Sequence, residues 1–243
     1  MKTPILVAMV SVYNASDWLE ARIENLLNTT IYERGELLIY CANASSTDPD
    51  DELICQKFLH LPNFKYELIP FCTLYAAWNH ILQRTNTPYI TNANCDDLIA
   101  PEAYDAMIEA CKHHKVRFVY GMCREIDATP KTWDEVDSSI PAQTFYTYDP
   151  DAGLTQRSHF SLWMRSLHDE IGYFDPSFVA LGDSAWWYKA WVNGIRDFLP
   201  LWQIVGAYRW RGEGKDGNLW YATDKEIRDE EIKRVYSMKP GLP

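Results

Sequence analysis

The feature that most constrains this chain is a rhythm in its first half, where short apolar runs alternate with amphipathic stretches. Ile5 to Val12 is an almost continuous apolar run, the pattern of a strand covered on both faces. Asn14, Ser16 and Asp17 are helix-capping types, and Trp18, Leu19, Ile23, Leu26 and Leu27 then recur at helical spacing. The same reading predicts strands at Leu37 to Cys41, Phe64 to Ile69, Tyr89 to Asn92 and Val116 to Tyr120. Between them, Leu53, Ile54 and Phe58 mark one helix, and Leu74, Ala77, Trp78, Ile81 and Leu82 another. Pro101 suits the first turn of a helix that runs to about His113. This β-α-β-α order predicts an α/β fold with a mostly parallel central sheet flanked by helices on both faces. Ligands of such folds sit beyond the carboxyl ends of the strands. Here that edge carries Tyr13-Asn14, Asn43 to Ser46 and Asn94-Cys95-Asp96-Asp97. Neither G-x-G-x-x-G nor G-x-x-x-x-G-K-[ST] occurs, so a dinucleotide Rossmann site and a P-loop lose their main support.

Arg124 to Phe160 has no clear periodicity and is rich in Asp, Pro, Ser and Thr. Order resumes at Ser161 to Ser166, followed by Gly172 to Asp175, a tryptophan-rich helix over Asp183 to Val192, a strand over Phe198 to Tyr208 and a charged helix from Asp224. No repeat and no dividing linker interrupts the 243 residues, which suits a single domain. Charge excludes one class of partner. With 23 basic and 34 acidic residues the net charge is −11, so nucleic acid is disfavoured and a nucleotide ligand needs local compensation, ordinarily a divalent metal. The six cysteines include no C-x-x-C pair and read as free thiols of a reducing compartment. The N-terminal apolar run is too short to span a membrane and precedes no cleavage site, so the expectation is a soluble, cytoplasmic protein.

Asn94 to Asp97 is the sharpest single feature. Carboxylates at a strand end in a ligand crevice suit a hard divalent cation. They are also ordinary turn residues, and Asp97 could cap the helix that follows.

At these residues the chain resembles the family 2 glycosyltransferases of GT-A fold. Ser11-Val12-Tyr13-Asn14 followed by Trp18-Leu19-Glu20 looks like that family's opening strand and helix. Glu36 to Ile39 leading to Ser46-Thr47-Asp48 resembles its second strand and nucleotide-binding turn, and Ala76-Ala77-Trp78-Asn79 the helix beneath the donor. Tyr89-Ile90 to Asp97, then Pro101-Glu102, resembles the D-x-D-D…P-E segment. Gly172 to Asp175 and Gly182-Asp183 resemble the later G-x-F-D and E-D or G-D motifs. The chain departs from the pattern at Asn94 and Asn43, where the family usually carries Asp, and at Trp78, where an Arg is common.

The resemblance implies a nucleotide-sugar-binding half (1–123), an acceptor-binding half (124–223) and a C-terminal helix and tail (224–243). It implies a UDP-sugar donor at Val12, Tyr13, Asn14, Asn43, Asn79, Asn94, Cys95, Asp96 and Arg209. It further implies Mn²⁺ or Mg²⁺ at Asp96, with Asp97 supporting the ion or bonding the sugar on the side of a glycan or other hydroxyl acceptor. Asp183 becomes the general base of an inverting transfer. Apart from the resemblance, His159 lies near the expected acceptor side as a candidate further metal ligand, and Trp186 and Trp210 are candidate stacking faces for the acceptor's sugar rings.

Each residue also has a plainer reading. Tyr13 is a base platform or a core or turn tyrosine, Asn43 a base or ribose contact or an Asx-turn, and Asn79 a diphosphate contact or a bond to the sheet backbone. Asp183 also suits an N-cap. Arg209 and Arg211 suit a diphosphate clamp or a solvated basic turn. Trp187 and Trp191 share a core face, whereas Trp186 points elsewhere, toward the cleft. His60, His80 and His168 have no evident carboxylate partner. Gln203 stands six residues before Arg209, so Gln-x-x-Arg-Trp is absent, which favours single-sugar addition. Two rivals stand beside the enzyme. A silent sugar-binding module draws on Asn43 and Asn94. A nucleotidyltransferase is disfavoured because Ser11 to Asp17 holds no Gly, Lys or Arg.

Overall fold

The computed structural model describes residues 2–127, 129–142, 160–210 and 223–238. Strands β1 (Leu6–Val12), β2 (Leu37–Asn43), β3 (Phe64–Leu68) and β4 (Tyr89–Asn92) alternate with helices α1 (Ser16–Leu27), α2 (Thr30–Glu33), α3 (Pro49–Lys57) and α4 (Leu74–Gln83). Next come β5 (Leu98–Ile99), α5 (Ala103–His114), β6 (Phe118–Ile126), a 3₁₀ turn at Trp133–Glu135, β7 (Ser161–Met164), α6 (Ser166–Ile171), α7 (Gly182–Val192), β8 (Phe198–Arg209) and α8 (Lys225–Ser237). They form one sheet in the order β3-β2-β1-β4-β7-β6-β8-β5. The pairs β1–β2, β1–β4, β2–β3 and β6–β8 are parallel, while β7 and β5 run antiparallel to their neighbours. The α/β class and the mostly parallel sheet expected from the sequence are both present.

The unbroken apolar runs follow from burial on two faces. In β1, Leu6, Ala8, Val10 and Val12 join the core beneath α1, α3 and α5. Val7 and Met9, pointing the other way, join the core shared with α4, α6 and α7. Leu37, Ile39 and Cys41 of β2 divide from Tyr40 and Ala42 in the same way. Each such aliphatic side chain contributes about 1.5–3 kcal/mol on burial. All six cysteines are free, and four of them are buried. No helix among the described residues is long and apolar enough to cross a membrane.

One predicted boundary moved far, and one strand pairing is irregular. The fifth predicted strand continues through Ile126, into the stretch read as aperiodic, because β8 pairs with it along that length. A register shift in that pairing, from Gly121↔Leu201 to Met122↔Ile204, puts Trp202 and Gln203 in an exposed bulge.

Candidate active site

The carboxyl ends of β1, β2 and β4 bring three polar turns together. After β1, Asn14 takes a left-handed φ of 49°, which Asn tolerates better than most residues. Its side-chain oxygen accepts from the main-chain N–H of Thr47 and Asp48, both at 3.2 Å. After β2, Asn43 is buried; its Oδ1 accepts from Ser46 N–H at 2.8 Å and its Nδ2 donates to the Tyr66 hydroxyl at 3.3 Å. Asp48 caps α3 by accepting from Asp50 N–H. Asp51, fully buried, accepts from Ala15 N–H at 3.1 Å and from the Ser46 hydroxyl at 2.7 Å. Burial pushes its carboxyl up from the usual range, against the pull of those donors. Asn14 and Asn43 therefore face the protein with the polar atoms described here, and the Asx-turn reading fits Asn43. Val12 is wholly buried and belongs to the core, so its side chain presents nothing to a ligand.

Tyr13 differs from its neighbours. It is 43% exposed and packs against Phe71, itself 70% exposed, with ring centroids 5.3 Å apart. Phe71 lies in the loop between β3 and α4, and sequence reasoning missed it because a single aromatic in a loop carries no periodic signal.

The Asn94–Asp97 segment forms a turn between β4 and β5 in which the two aspartates differ in burial. Asp96 is half-buried, and Asp97 is 3% exposed. Asp97 accepts from Arg209 N–H at 3.2 Å and from Asn94 Nδ2 at 3.1 Å. Burial pushes the Asp97 carboxyl up, opposed first by the positive charge of Arg22. Asp97 thus does not cap α5 and is shut away from solvent; it joins the turn to β8. Asn94 also has a structural role here, since its amide can donate to Asp97 where an aspartate could not. Beneath the turn, Arg22 is buried and donates to Asn25 Oδ1 at 2.9 Å. Asn25 pairs with both backbone groups of Ile99, at 2.8 and 2.9 Å, and so pins β5. Cys95 donates its thiol to the Ser11 carbonyl at 3.2 Å.

Arg209 is where the diphosphate-clamp reading meets most resistance. Its guanidinium is buried, with Nε donating to the Asp96 carbonyl at 2.8 Å and its two terminal nitrogens to the carbonyls of Asp127 and Pro130. It also lies 4.2 Å above the Trp18 ring. The guanidinium holds loops in place. Trp210 continues the strand pairing through its N–H to the Ile126 carbonyl at 2.9 Å. Arg211 and His159 lie outside the described residues.

The same sheet edge carries Asp183. It sits in the first turn of α7, with Leu181 rather than Asp183 at the N-cap position. Oδ1 accepts from Ser184 N–H at 2.7 Å and from the Tyr75 hydroxyl at 3.4 Å; Oδ2 makes no hydrogen bond among the described residues. Tyr75 stands at the start of α4 and is buried. Burial, then the charge of Asp183, pushes its phenol well above its usual range, so it stays a donor. A Cβ on Gly182 would come within 2.5–2.7 Å of the Tyr75 ring, so only glycine admits this approach.

Under Asp183 lies an aromatic platform. Asn79 pairs with both backbone groups of Phe174, at 2.8 and 3.1 Å, so its polar atoms are turned to protein, though to the loop between α6 and α7 and not to the sheet. Trp186 is 2% exposed and donates to the Gly172 carbonyl at 2.7 Å; it is core, not cleft. The reason is that α7 is enclosed on several sides, with Ala185, Trp186, Trp187, Tyr188 and Ala190 all buried. His168 accepts from Trp163 Nε1 at 3.0 Å and contacts the same Gly172 carbonyl at 3.2 Å. His80, expected to lack a carboxylate, meets Glu67 at 2.5 Å across from α4 to β3.

Among the described residues no three metal-ligating side chains cluster. The donor set is nonetheless suited to one kind of ion. Mg²⁺-like cations are commonly held by one or two carboxylates plus substrate phosphates, not by an all-protein cage. Asp96, half-buried in the turn between β4 and β5, is one such carboxylate.

A family model described as glycosyl transferase family 2 matches residues 8–172. No curated protein matches the sequence. Among solved structures, residues 1–349 of S. aureus TarS in complex with UDP-GlcNAc superpose with a TM-score of 0.73 at 15% identity, over 98% of this chain and 66% of that one. The same fragment in complex with UDP gives 0.70 at 15% identity, over 98% and 65%. A mannosyltransferase from Pyrobaculum calidifontis, in complex with GDP-Man and Mn²⁺, gives 0.66 at 16% identity, over 100% and 67%. At such identities the likeness is one of fold, and this chain spans no more than about two thirds of the TarS chains. The fold is GT-A, and with the family match covering most of its length the chain belongs to glycosyl transferase family 2.

Proposed function

We propose that this protein transfers one sugar from a nucleotide-sugar donor, a UDP-sugar, to a hydroxyl acceptor such as a glycan, with inversion at the anomeric carbon. The observation that carries the reading is the state of Asp183. One carboxylate oxygen is fixed by Ser184 and Tyr75 while the other makes no hydrogen bond among the described residues, at the sheet edge where Asp96 also stands. Asp183 takes the proton of the acceptor hydroxyl as its oxygen attacks the anomeric carbon and the nucleoside diphosphate departs. Holding one carboxylate oxygen in place keeps the other in the orientation that proton transfer needs. Asp96 is the residue that would hold Mn²⁺ or Mg²⁺, and the ion would offset charge on the leaving diphosphate. Family membership supports sugar transfer, and proteins of the same fold hold UDP-GlcNAc, UDP and GDP-Man, so both nucleotides enter the test.

The test is hydrolysis of UDP-GlcNAc, UDP-Glc, UDP-Gal and GDP-Man by the full chain. Turnover should disappear with chelator and return with Mn²⁺. Asp183→Asn should keep UDP binding in calorimetry and lose turnover by about 100-fold or more. Undiminished turnover in that variant would remove Asp183 as the base. A chain that binds glycans but takes up UDP equally with and without Mn²⁺ would be the silent module.

A further inference from the structure

The last helix reaches back to the segment that leads into α7. Glu231 of α8 is 2% exposed, and its carboxylate accepts three successive main-chain N–H groups, from Val179, Ala180 and Leu181, the last two at 3.1 and 2.9 Å. Three residues on, and so on the same helix face, Arg234 donates to Asp175 Oδ2 at 3.0 Å and to the Ser177 hydroxyl at 2.7 Å. Its guanidinium lies 4.0 Å from the centre of the Phe178 ring. Together the two side chains hold residues 175–181. Amides ahead of a helix have no partner within it, and a carboxylate there satisfies them and suits the positive end of the helix dipole. Gly182 and Asp183 follow directly, pressed from the other side by Tyr75.

We propose that Glu231 is a positioning residue for Asp183: it fixes the backbone before α7 so that Asp183 keeps its second oxygen directed at the acceptor. The inference rests on the reading of Asp183 as the base. A charged residue nearly fifty positions downstream thereby enters the working geometry without touching substrate.

The experiment uses the full chain and a double-mutant cycle. Glu231→Gln is isosteric but replaces one acceptor oxygen with a donor, so the three amides cannot all be satisfied. It should lower Mn²⁺-dependent turnover of UDP-GlcNAc, or whichever of the four nucleotide sugars above the wild type hydrolyses, by about 10- to 100-fold. KM and the calorimetric Kd for UDP should stay within about twofold. Placed in Asp183→Asn, the same change should cost nothing further, because residues that act through one group are not additive. Deuterium uptake over 179–184 should rise in Glu231→Gln. The proposal is overturned if turnover is unchanged, if the loss is equal in both backgrounds, or if uptake over 179–184 matches the wild type. Should Glu231→Gln fail to fold, Glu231→Asp replaces it with the same outcomes, and unprotected amides at 179–181 in the wild type would also overturn it. Active Asp183→Asn sinks the base assignment; inactive Asp183→Asn with fully active Glu231→Gln sinks only the positioning role.

Discussion

The turns leaving β1, β2 and β4 lie beyond the carboxyl ends of the strands, whereas the aromatic platform packs around Trp163, which pairs with Ile90 near the start of β4; the two are built by different means. In the turns, short polar side chains close on main-chain N–H groups: Asn14 on 47 and 48, Asn43 on 46, Asp51 on 15, Asp97 on 209. In the platform, large rings pack on one another, with Trp163, Phe174, Trp186 and His168 all within 4.5–6.3 Å centroid to centroid. A polar turn fixes backbone direction over a few residues. A packed aromatic layer fixes whole elements against each other, and it is what α7 stands on. Errors in the first should be local and errors in the second should spread.

That contrast predicts its own largest effect. Trp186→Ala should cost about 3–5 kcal/mol in urea or guanidinium unfolding, since it opens a cavity and leaves the Gly172 carbonyl short of a donor. A loss under about 1 kcal/mol would mean that the platform is not held by packing. Next is acid sensitivity. Burial pushes the His168 imidazole down to about 4, whereas in the unfolded chain it titrates near its ordinary value of about 6.5. The unfolded chain therefore binds the proton first. The stability that His168 brings is complete above about pH 6.5 and is lost as pH falls toward 4, by up to about 3 kcal/mol. His168→Gln keeps an acceptor for Trp163 and cannot titrate there, so its unfolding midpoint should fall less over this window. Equal slopes for both proteins would remove His168 as the source.

These two regions were unequally legible in sequence. β1 and β2 could be read directly because both faces of each strand are apolar. β5 could not, since Leu98-Ile99 is too short to show a period and becomes a strand only by pairing with Gly206 and Ala207, more than a hundred residues later. Asp183 stood out through the resemblance of Gly182-Asp183 to a family motif, but Glu231 reads as one acid in a charged helix until the fold brings it to 179–181. Trp186 was misplaced for a similar reason: assigning one face to the core assumes that the other meets solvent, and α7 is enclosed. Arg209 and Asn79, for which diphosphate contacts stood beside plainer readings, spend hydrogen bonds on backbone carried by distant segments.

A polar turn should fail more quietly. Asp51→Ala leaves the Ala15 N–H buried without its acceptor and releases the Ser46 hydroxyl. The expected cost is about 1–3 kcal/mol, from the desolvation penalty of one unpaired donor. If the effect is local, hydrogen exchange should quicken over 13–17 and 44–48 while 179–190 stays as in the wild type. Faster exchange in both segments would erase the distinction between the regions.

The smallest expected effect on stability comes with a separate effect on binding. Tyr13 and Phe71 are aromatic like the platform residues, but they are exposed and sit among the polar turns. If exposed rings there serve a ligand, removing them should barely disturb folding. Tyr13→Ala and Phe71→Ala should each shift unfolding by no more than about 0.5 kcal/mol, the usual range for surface changes. Each should weaken UDP binding in the presence of Mn²⁺ by about 2- to 12-fold, which is the weight of one ring-on-ring contact of about 0.5–1.5 kcal/mol. Tyr13→Phe keeps the ring and should bind as the wild type does. Unchanged affinity in both alanine variants would mean that the pair only covers the end of β1, and the ring contact with the nucleobase would have to be sought elsewhere.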